Sequence, residues 1–243
     1  METGTTDIQA VDYGALLREA GGARGADLVE FMCRELPYAC RDAYLATTSR
    51  PTEIVRIRYG TFEYVFDDYT SLEARGAVPY SEDEEGRLVV ALGQSAPSNR
   101  QRDDYRLKEW VGPTERTFGK AWDKGHYFAH SLGGTVDGLE ANVFVQRRDL
   151  NRGWSPDGKC FMRMEKYCRM RAGTFCFARP VYLDGTARPA FLEFGLLKEN
   201  DDLWVERFDN RPGVACATRT VEHVYGQAAS PNIGLHPDGL DAS

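Results

Sequence analysis

The sequence predicts a mixed α+β fold, an antiparallel sheet with helices, on three observations. Apolar residues recur at three-to-four spacing in the first 46 residues and suit a helix again around residue 165. They alternate with polar residues in several short segments elsewhere. Two pairs of those segments are joined by tight turns, one at Gly60 and one at Asp184-Gly185.

Taken in order, residues 7–20 read as a short helix stopped by Gly21-Gly22. A longer helix is expected over 26–46. Its apolar positions Leu28, Phe31, Met32, Leu36, Cys40 and Tyr44 share a face, and Pro37 should kink it. Residues 53–67 alternate around Gly60, with Ile54, Val55, Ile57 and Tyr59 on one arm and Phe62, Tyr64 and Phe66 on the other, which is a hairpin signature. An acidic turn over 81–86 precedes a strand at 87–92 and a polar connector at 93–100. Beyond the central region, 174–183 and 190–197 read as strands, with one more at 203–208. From 226 the chain is rich in Gly, Ala, Ser and Pro and reads as a flexible tail. The expected organisation is a helical N-terminal extension over 1–50, a main domain over 51–225 and a tail over 226–243.

A chain of 243 residues, 42% hydrophobic and 28% charged, has the composition of an ordinary globular protein. At that length about 70–75% of the unfolded surface can be buried, so no covalent staple is needed. No apolar run approaches the ~20 residues that span a bilayer. Met1-Glu2-Thr3-Gly4-Thr5-Thr6-Asp7 has neither the basic region nor the apolar core of a secretion signal, so a cytoplasmic location without membrane contact is expected. The six cysteines (Cys33, Cys40, Cys160, Cys168, Cys176, Cys216) form no CxxC pair, which argues against a zinc site and for reduced thiols. The net charge of −7 is unevenly spread: residues 1–90 carry −8, 91–171 carry +5 and 172–243 carry −4. Positive charge is thus concentrated in the middle, where contacts to phosphates would be made.

The residues that carry chemistry lie in that middle region. Trp122-Asp123-Lys124-Gly125-His126 leads into Tyr127-Phe128-Ala129-His130-Ser131-Leu132-Gly133-Gly134. Next come Asn142-Val143-Phe144-Val145-Gln146 and Asp149-Leu150-Asn151-Arg152-Gly153-Trp154, then Met164-Glu165-Lys166-Tyr167 with Arg163 and Arg169 beside it. Together these resemble the DNA/RNA non-specific endonuclease family, in a compact bacterial form, one of the ββα-metal (His-Me finger) nucleases. That family carries an Asp-Arg-Gly-His motif, an Asn-x-x-Pro-Gln motif followed by Leu-Asn and Trp, and a Glu on a helix. The resemblance covers about 115–200, strongest over 122–169, and the N-terminal third has no counterpart.

The resemblance implies a ββα-metal core and a reaction whose needs these residue types meet. Phosphodiester hydrolysis requires a base near neutral pKa to activate water, and imidazole provides it. It also requires a cation against the phosphoryl oxygens. Mg2+, which Mn2+ can replace, takes oxygen ligands and keeps most of its waters, so one amide oxygen can hold it. By motif position the base is His126 and the metal ligand Asn142, with Glu165 holding metal-bound water from outside the ligand shell. Asn151 braces the metal loop, and the expected geometry is a β-hairpin ending in His126 against a helix starting near Asn142. Lys124 stands where the family has Arg, which keeps the charge but loses the planar fork, and Val145 stands where it has Pro. Arg169 or Arg163 would stabilise the leaving group; Arg100, Arg102, Arg147 and Arg148 are the remaining candidates for contacts to nucleic acid, with Arg152 beside them. Gly125 is expected to serve backbone geometry, and His130 a structural role.

Two classes of function follow. The first is an endonuclease of low sequence specificity acting on DNA, with RNA an open second substrate. A nuclease of that kind endangers its host, which implies a regulated toxin or antiphage effector, an inhibitor, immunity or regulatory partner, or self-association, and a binding or covering role for the acidic N-terminal third. The second is a non-catalytic nucleic-acid-binding or interaction protein on a degenerate nuclease fold. Loss of the His or the Asn would signal it, and both are present.

Overall fold

The computed structural model describes residues 10–69, 72, 75–76, 86–96, 119–134, 140–213 and 223–226. Seven strands build one antiparallel sheet in chain order: β1 (Ile54–Tyr59), β2 (Phe62–Asp67), β3 (Arg87–Gln94), β6 (Phe175–Val181), β7 (Phe191–Leu197), β8 (Leu203–Asp209) and β9 (His223–Tyr225). Between β3 and β6 the chain leaves the sheet. It forms a separate two-stranded ribbon, β4 (Trp122–His126) with β5 (Val143–Arg147), then helices α3 (Arg148–Asn151) and α4 (Pro156–Met170). Helices α1 (Tyr13–Glu19) and α2 (Gly25–Leu45) precede the sheet. The mixed α+β class with an antiparallel sheet is therefore present, as are helices 13–19 and 25–45 and the hairpin turning at Gly60-Thr61.

The strands alternate as the pleat requires, and the alternation divides the core in two. Phe62, Tyr64, Cys176, Ala178, Leu192, Phe194, Leu196, Trp204 and Phe208 face one way and pack with the ribbon and α4. Val65, Phe175, Phe177, Leu203 and Val205 face the other way and pack with α1 and α2. Leu28, Met32, Leu36 and Cys40, one every four residues, are all fully buried along α2, each large side chain contributing about 1.5–3 kcal/mol. The helix continues through Pro37 as one element of 21 residues. A bulge at Val89 on β3, opposite the Val65–Phe66 step of β2, lets both Val89 and Val90 face α2.

Helix α1 docks through a polar contact. Tyr13 donates its hydroxyl to Glu193 at 2.6 Å, and the same carboxylate takes Arg179 at 2.6 Å and Arg207 at 2.7 Å. Burial pushes the Glu193 carboxyl up, but Arg179 and Arg207 outweigh it and hold the group below the usual carboxylate range. Because α1 and α2 sit on the face away from the ribbon, they form a layer there and do not cover the ββα unit. Among the described residues no helix is long and apolar enough to cross a membrane.

Candidate active site

Strand β4 carries the Asp-Lys-Gly-His segment, and its register against β5 is regular: Asp123 opposite Gln146, Lys124 opposite Val145, Gly125 opposite Phe144, His126 opposite Val143. The pleat puts Lys124 and His126 on one face of the ribbon and Asp123 and Gly125 on the other. The helix expected to start near Asn142 is instead a single 3-10 turn, Glu140–Asn142, followed by strand β5, and α-helix begins only at Arg148. Val143, Phe144 and Val145 are β-branched or aromatic with every second side chain buried, a combination that favours a strand. Val145 therefore sits in a strand where no helix geometry depends on it.

Asp123 is the hub of the unit. Its carboxylate accepts from Arg148 Nε at 2.9 Å, Arg152 Nε at 2.6 Å, Arg152 Nη2 at 3.0 Å and Asn151 Nδ2 at 3.3 Å. Burial raises its pKa, but the bonds from Arg152, Asn151 and Arg148 prevail and hold the carboxyl below its ordinary value. One aspartate on β4 thereby fixes α3 against the ribbon. It also turns the Asn151 amide so that Nδ2 faces the carboxylate and Oδ1 faces away. Two residues past the end of α3, Gly153 has a φ of 69°, the left-handed conformation that closes a helix. Ser155 then caps α4, accepting from Gly158 N at 3.0 Å, with Pro156 in the first turn.

Asn142, the metal ligand its motif position implies, is engaged at both atoms of its amide. It is fully buried; Oδ1 accepts from Phe128 N at 3.0 Å and Nδ2 donates to Phe128 O at 3.0 Å. Its own carbonyl accepts from Tyr127 N at 3.0 Å. Both faces of the amide thus clamp the chain immediately beyond His126. Two aromatic stacks flank that clamp: Tyr127 on Phe144 at 4.4 Å and Phe128 on Phe62 at 4.0 Å. The second of these ties the ribbon to the sheet.

The basic candidates separate in the same way. Arg147 is buried, bonded to Asp149 at 2.5 Å and 3.9 Å from Asp157, which corrects its expected contact with nucleic acid. Arg148 is half-buried and turned inward onto Asp123 and the Trp122 carbonyl at 3.0 Å, so it braces the unit as well. Arg163, Lys166 and Arg169 form the exposed stripe that their spacing on α4 implies. Arg152 is exposed and lies 5.1 Å over the ring of Trp154, itself 64% exposed. Lys124 is half-buried, and desolvation lowers its pKa. Arg100 and Arg102 lie outside the described residues.

Glu165 lies on α4, the helix that packs on α3, on β7 and on the short turn His130–Leu132. Burial pushes its carboxyl up to about 7, opposed by Arg169 one turn on, and no hydrogen bond reaches it from the described residues. His130 opens that turn and is half-buried. Among the described residues no three His, Cys, Asp or Glu side chains gather as metal ligands.

Three features have contacts that the motifs do not imply. Gln146 is fully buried and packs over Gly125, where a Cβ would strike its side chain; Gly125 is required by that close approach and not by a left-handed backbone. Asn210, at the end of β8, accepts from Arg147 N at 2.7 Å and donates to Val145 O and Pro189 O at 2.9 Å, so it latches β5 to the sheet from 60 residues away in a segment without motif character. The exposed Trp154 is the third. Compared with models of known protein families and with curated protein sequences, the chain matches none.

Proposed function

We propose that the chain is a divalent-cation-dependent endonuclease that hydrolyses DNA, with RNA as a second candidate substrate, and little regard to sequence. The observation that carries the reading is the ββα unit itself: a ribbon ending in His126, followed by a helix whose Asn151 amide is oriented by Asp123. His126 accepts a proton from the attacking water. Lys124, on the same ribbon face, places a positive charge for the phosphate. In this reading the cation-holding residue is Asn151 through Oδ1, in place of Asn142, with Glu165 acting through water. Amide and carboxylate oxygens are the donor types a hard cation takes, and a cation held by them would supply positive charge against the phosphoryl oxygens as they become more negative. Of the two arginines of α4, Arg163 lies over the Trp204 ring, which leaves exposed Arg169 as the candidate to neutralise the leaving group; Arg152 with Trp154 offers a stacking surface for a base. A regulated toxin or antiphage role, with an inhibitory partner, is consistent with such an activity.

The test is plasmid nicking with Mg2+, with EDTA, and with four variants. His126→Ala and Asn151→Ala are each expected to reduce the rate at least a hundredfold. Asn142→Ala should act chiefly through stability, and Arg148→Ala likewise. Nicking at the wild-type rate by His126→Ala, or in EDTA, would sink the assignment and favour a non-catalytic nucleic-acid-binding protein.

A further inference from the structure

On the sheet face that carries α2, a cavity of about 530 Å3 opens between the end of α2 and the β6–β7 turn. It is separate from the ββα unit, which occupies the other face. Its walls bring together Arg50, Arg87 and Arg179 with Thr48 and Ser49. Two of the guanidiniums are matched by acids. Arg50 lies 2.8 Å from Asp67, and Arg179 lies 2.6 Å from Glu193, which Arg207 also approaches at 2.7 Å.

Arg87 is different. It is 5% exposed, donates one N–H to the Asp184 carbonyl at 2.5 Å and lies 4.8 Å over the Tyr182 ring. No carboxylate pairs with it among the described residues, and its Nε has no hydrogen-bond partner. A buried cation with an unanswered donor is costly unless an anion completes it. The backbone does not answer that need. The amides of Ala46, Thr47 and Thr48 are bonded back to Asp42 and Tyr44 carbonyls, and the C-terminal end of α2 is itself partly negative. Recognition of an anion here therefore falls to the side chains.

We propose that this cavity binds a small phosphorylated ligand of mononucleotide size, with its phosphate on Arg87 and the Thr48 and Ser49 hydroxyls. A phosphate offers three peripheral oxygens and close to two charges, which suits a guanidinium fork flanked by hydroxyl donors and two further arginines. The volume exceeds what a bare anion needs and lies within the range of small-molecule sites. Pro180 and Leu183, which also line the cavity, supply apolar wall for the remainder of the ligand.

The proposal does not depend on nuclease activity, because the readout is binding. Titration calorimetry of the full chain in EDTA, with adenosine 5′-monophosphate and with inorganic phosphate as probes, tests it. The nucleotide should bind at one site, phosphate should compete more weakly, and Arg87→Gln should weaken nucleotide binding about ten- to a hundredfold. Since Arg87 is buried, Ser49→Glu, on the exposed rim, gives a second variant that places a like charge at the same point without touching the core. Binding should persist in Asn151→Ala. Equal nucleotide affinity in the wild type and Ser49→Glu, or no heat at millimolar probe, overturns the site. Phosphate binding as tightly as the nucleotide overturns its size class.

Discussion

The two faces of the sheet are held by different physics. The face under α1 and α2 is closed mainly by apolar surface, with Leu28, Met32, Leu36 and Cys40 in one cluster with Val89, Val90 and Leu92 of β3 and Phe177 of β6. Burial of this kind is non-directional; it fixes a layer without dictating the orientation of any one group. The ribbon on the other face adds directional clamps to its aromatic contacts: Asn142 on Phe128, Asn210 on β5, and Asp123 on α3. Two strands alone are too small a sheet to be stable in water. A ribbon that presents half-buried polar side chains cannot compensate with apolar area, so it is cross-linked by hydrogen bonds. The directional face is therefore where single polar substitutions should disturb nicking, and the apolar face is where truncating a packed side chain should disturb only stability.

The largest expected effect comes from Asp123→Ala. It leaves Arg148 and Arg152 without their carboxylate and frees the Asn151 amide to turn. Nicking should fall more than a hundredfold, and stability by about 2 kcal/mol, the price of unpairing charges that are only partly exposed. Asp123→Asn, which keeps acceptors for part of the network, should fall between. Rate and urea midpoint measured on the same preparations check this; full activity in Asp123→Ala would break the contrast between the faces.

The complement lies on the other face. Leu36→Ala removes a fully buried side chain from α2 and should cost about 2–5 kcal/mol. Its nicking rate, measured well below the melting temperature, should match the wild type. A rate loss comparable with that of Asp123→Ala would mean that the apolar layer also positions the site.

How much of this could be read in the chain follows from the same distinction. Periodicity exposed α2, the β1–β2 hairpin and the strands β3, β6, β7 and β8, because burial imposes its period on local sequence. It failed at 143–147, where resemblance suggested a helix but the alternation of Val143, Phe144 and Val145 with buried Gln146 made a strand. Strands β4 and β9 are three to five residues long, too short for any period to register. The site residues His126, Asn151 and Glu165 were visible as residue types in order. What each one touches was not, since Asn142 and Asn151 are the same side chain with opposite surroundings. One amide is enclosed by a backbone segment and the other held by a carboxylate across the ribbon. Asn210 and the Arg87 cavity were invisible for the same reason, being products of long-range packing.

The last prediction concerns Glu165, where the apolar and directional sides of the comparison meet on one residue. Its carboxyl is raised to about 7 by burial, against an unfolded value near 4.5. Between those values the folded chain binds a proton that the unfolded chain has released, so stability falls as pH rises through that window. The contribution is fully present below about pH 4.5 and lost above pH 7. In metal-free buffer, Glu165→Gln should therefore be the more stable protein above pH 7, by about 1–3 kcal/mol, and indistinguishable from wild type near pH 4.5. Adding Mg2+ at pH 7.5 should narrow the gap by stabilising the wild type more than the variant, because both keep Asn151 but only the carboxylate adds charge near the cation. Thermal melts of both proteins from pH 4.5 to 8, with and without the ion, separate the two effects. A gap that ignores both pH and Mg2+ would assign Glu165 to packing and leave Asn151 as the sole protein group for the cation.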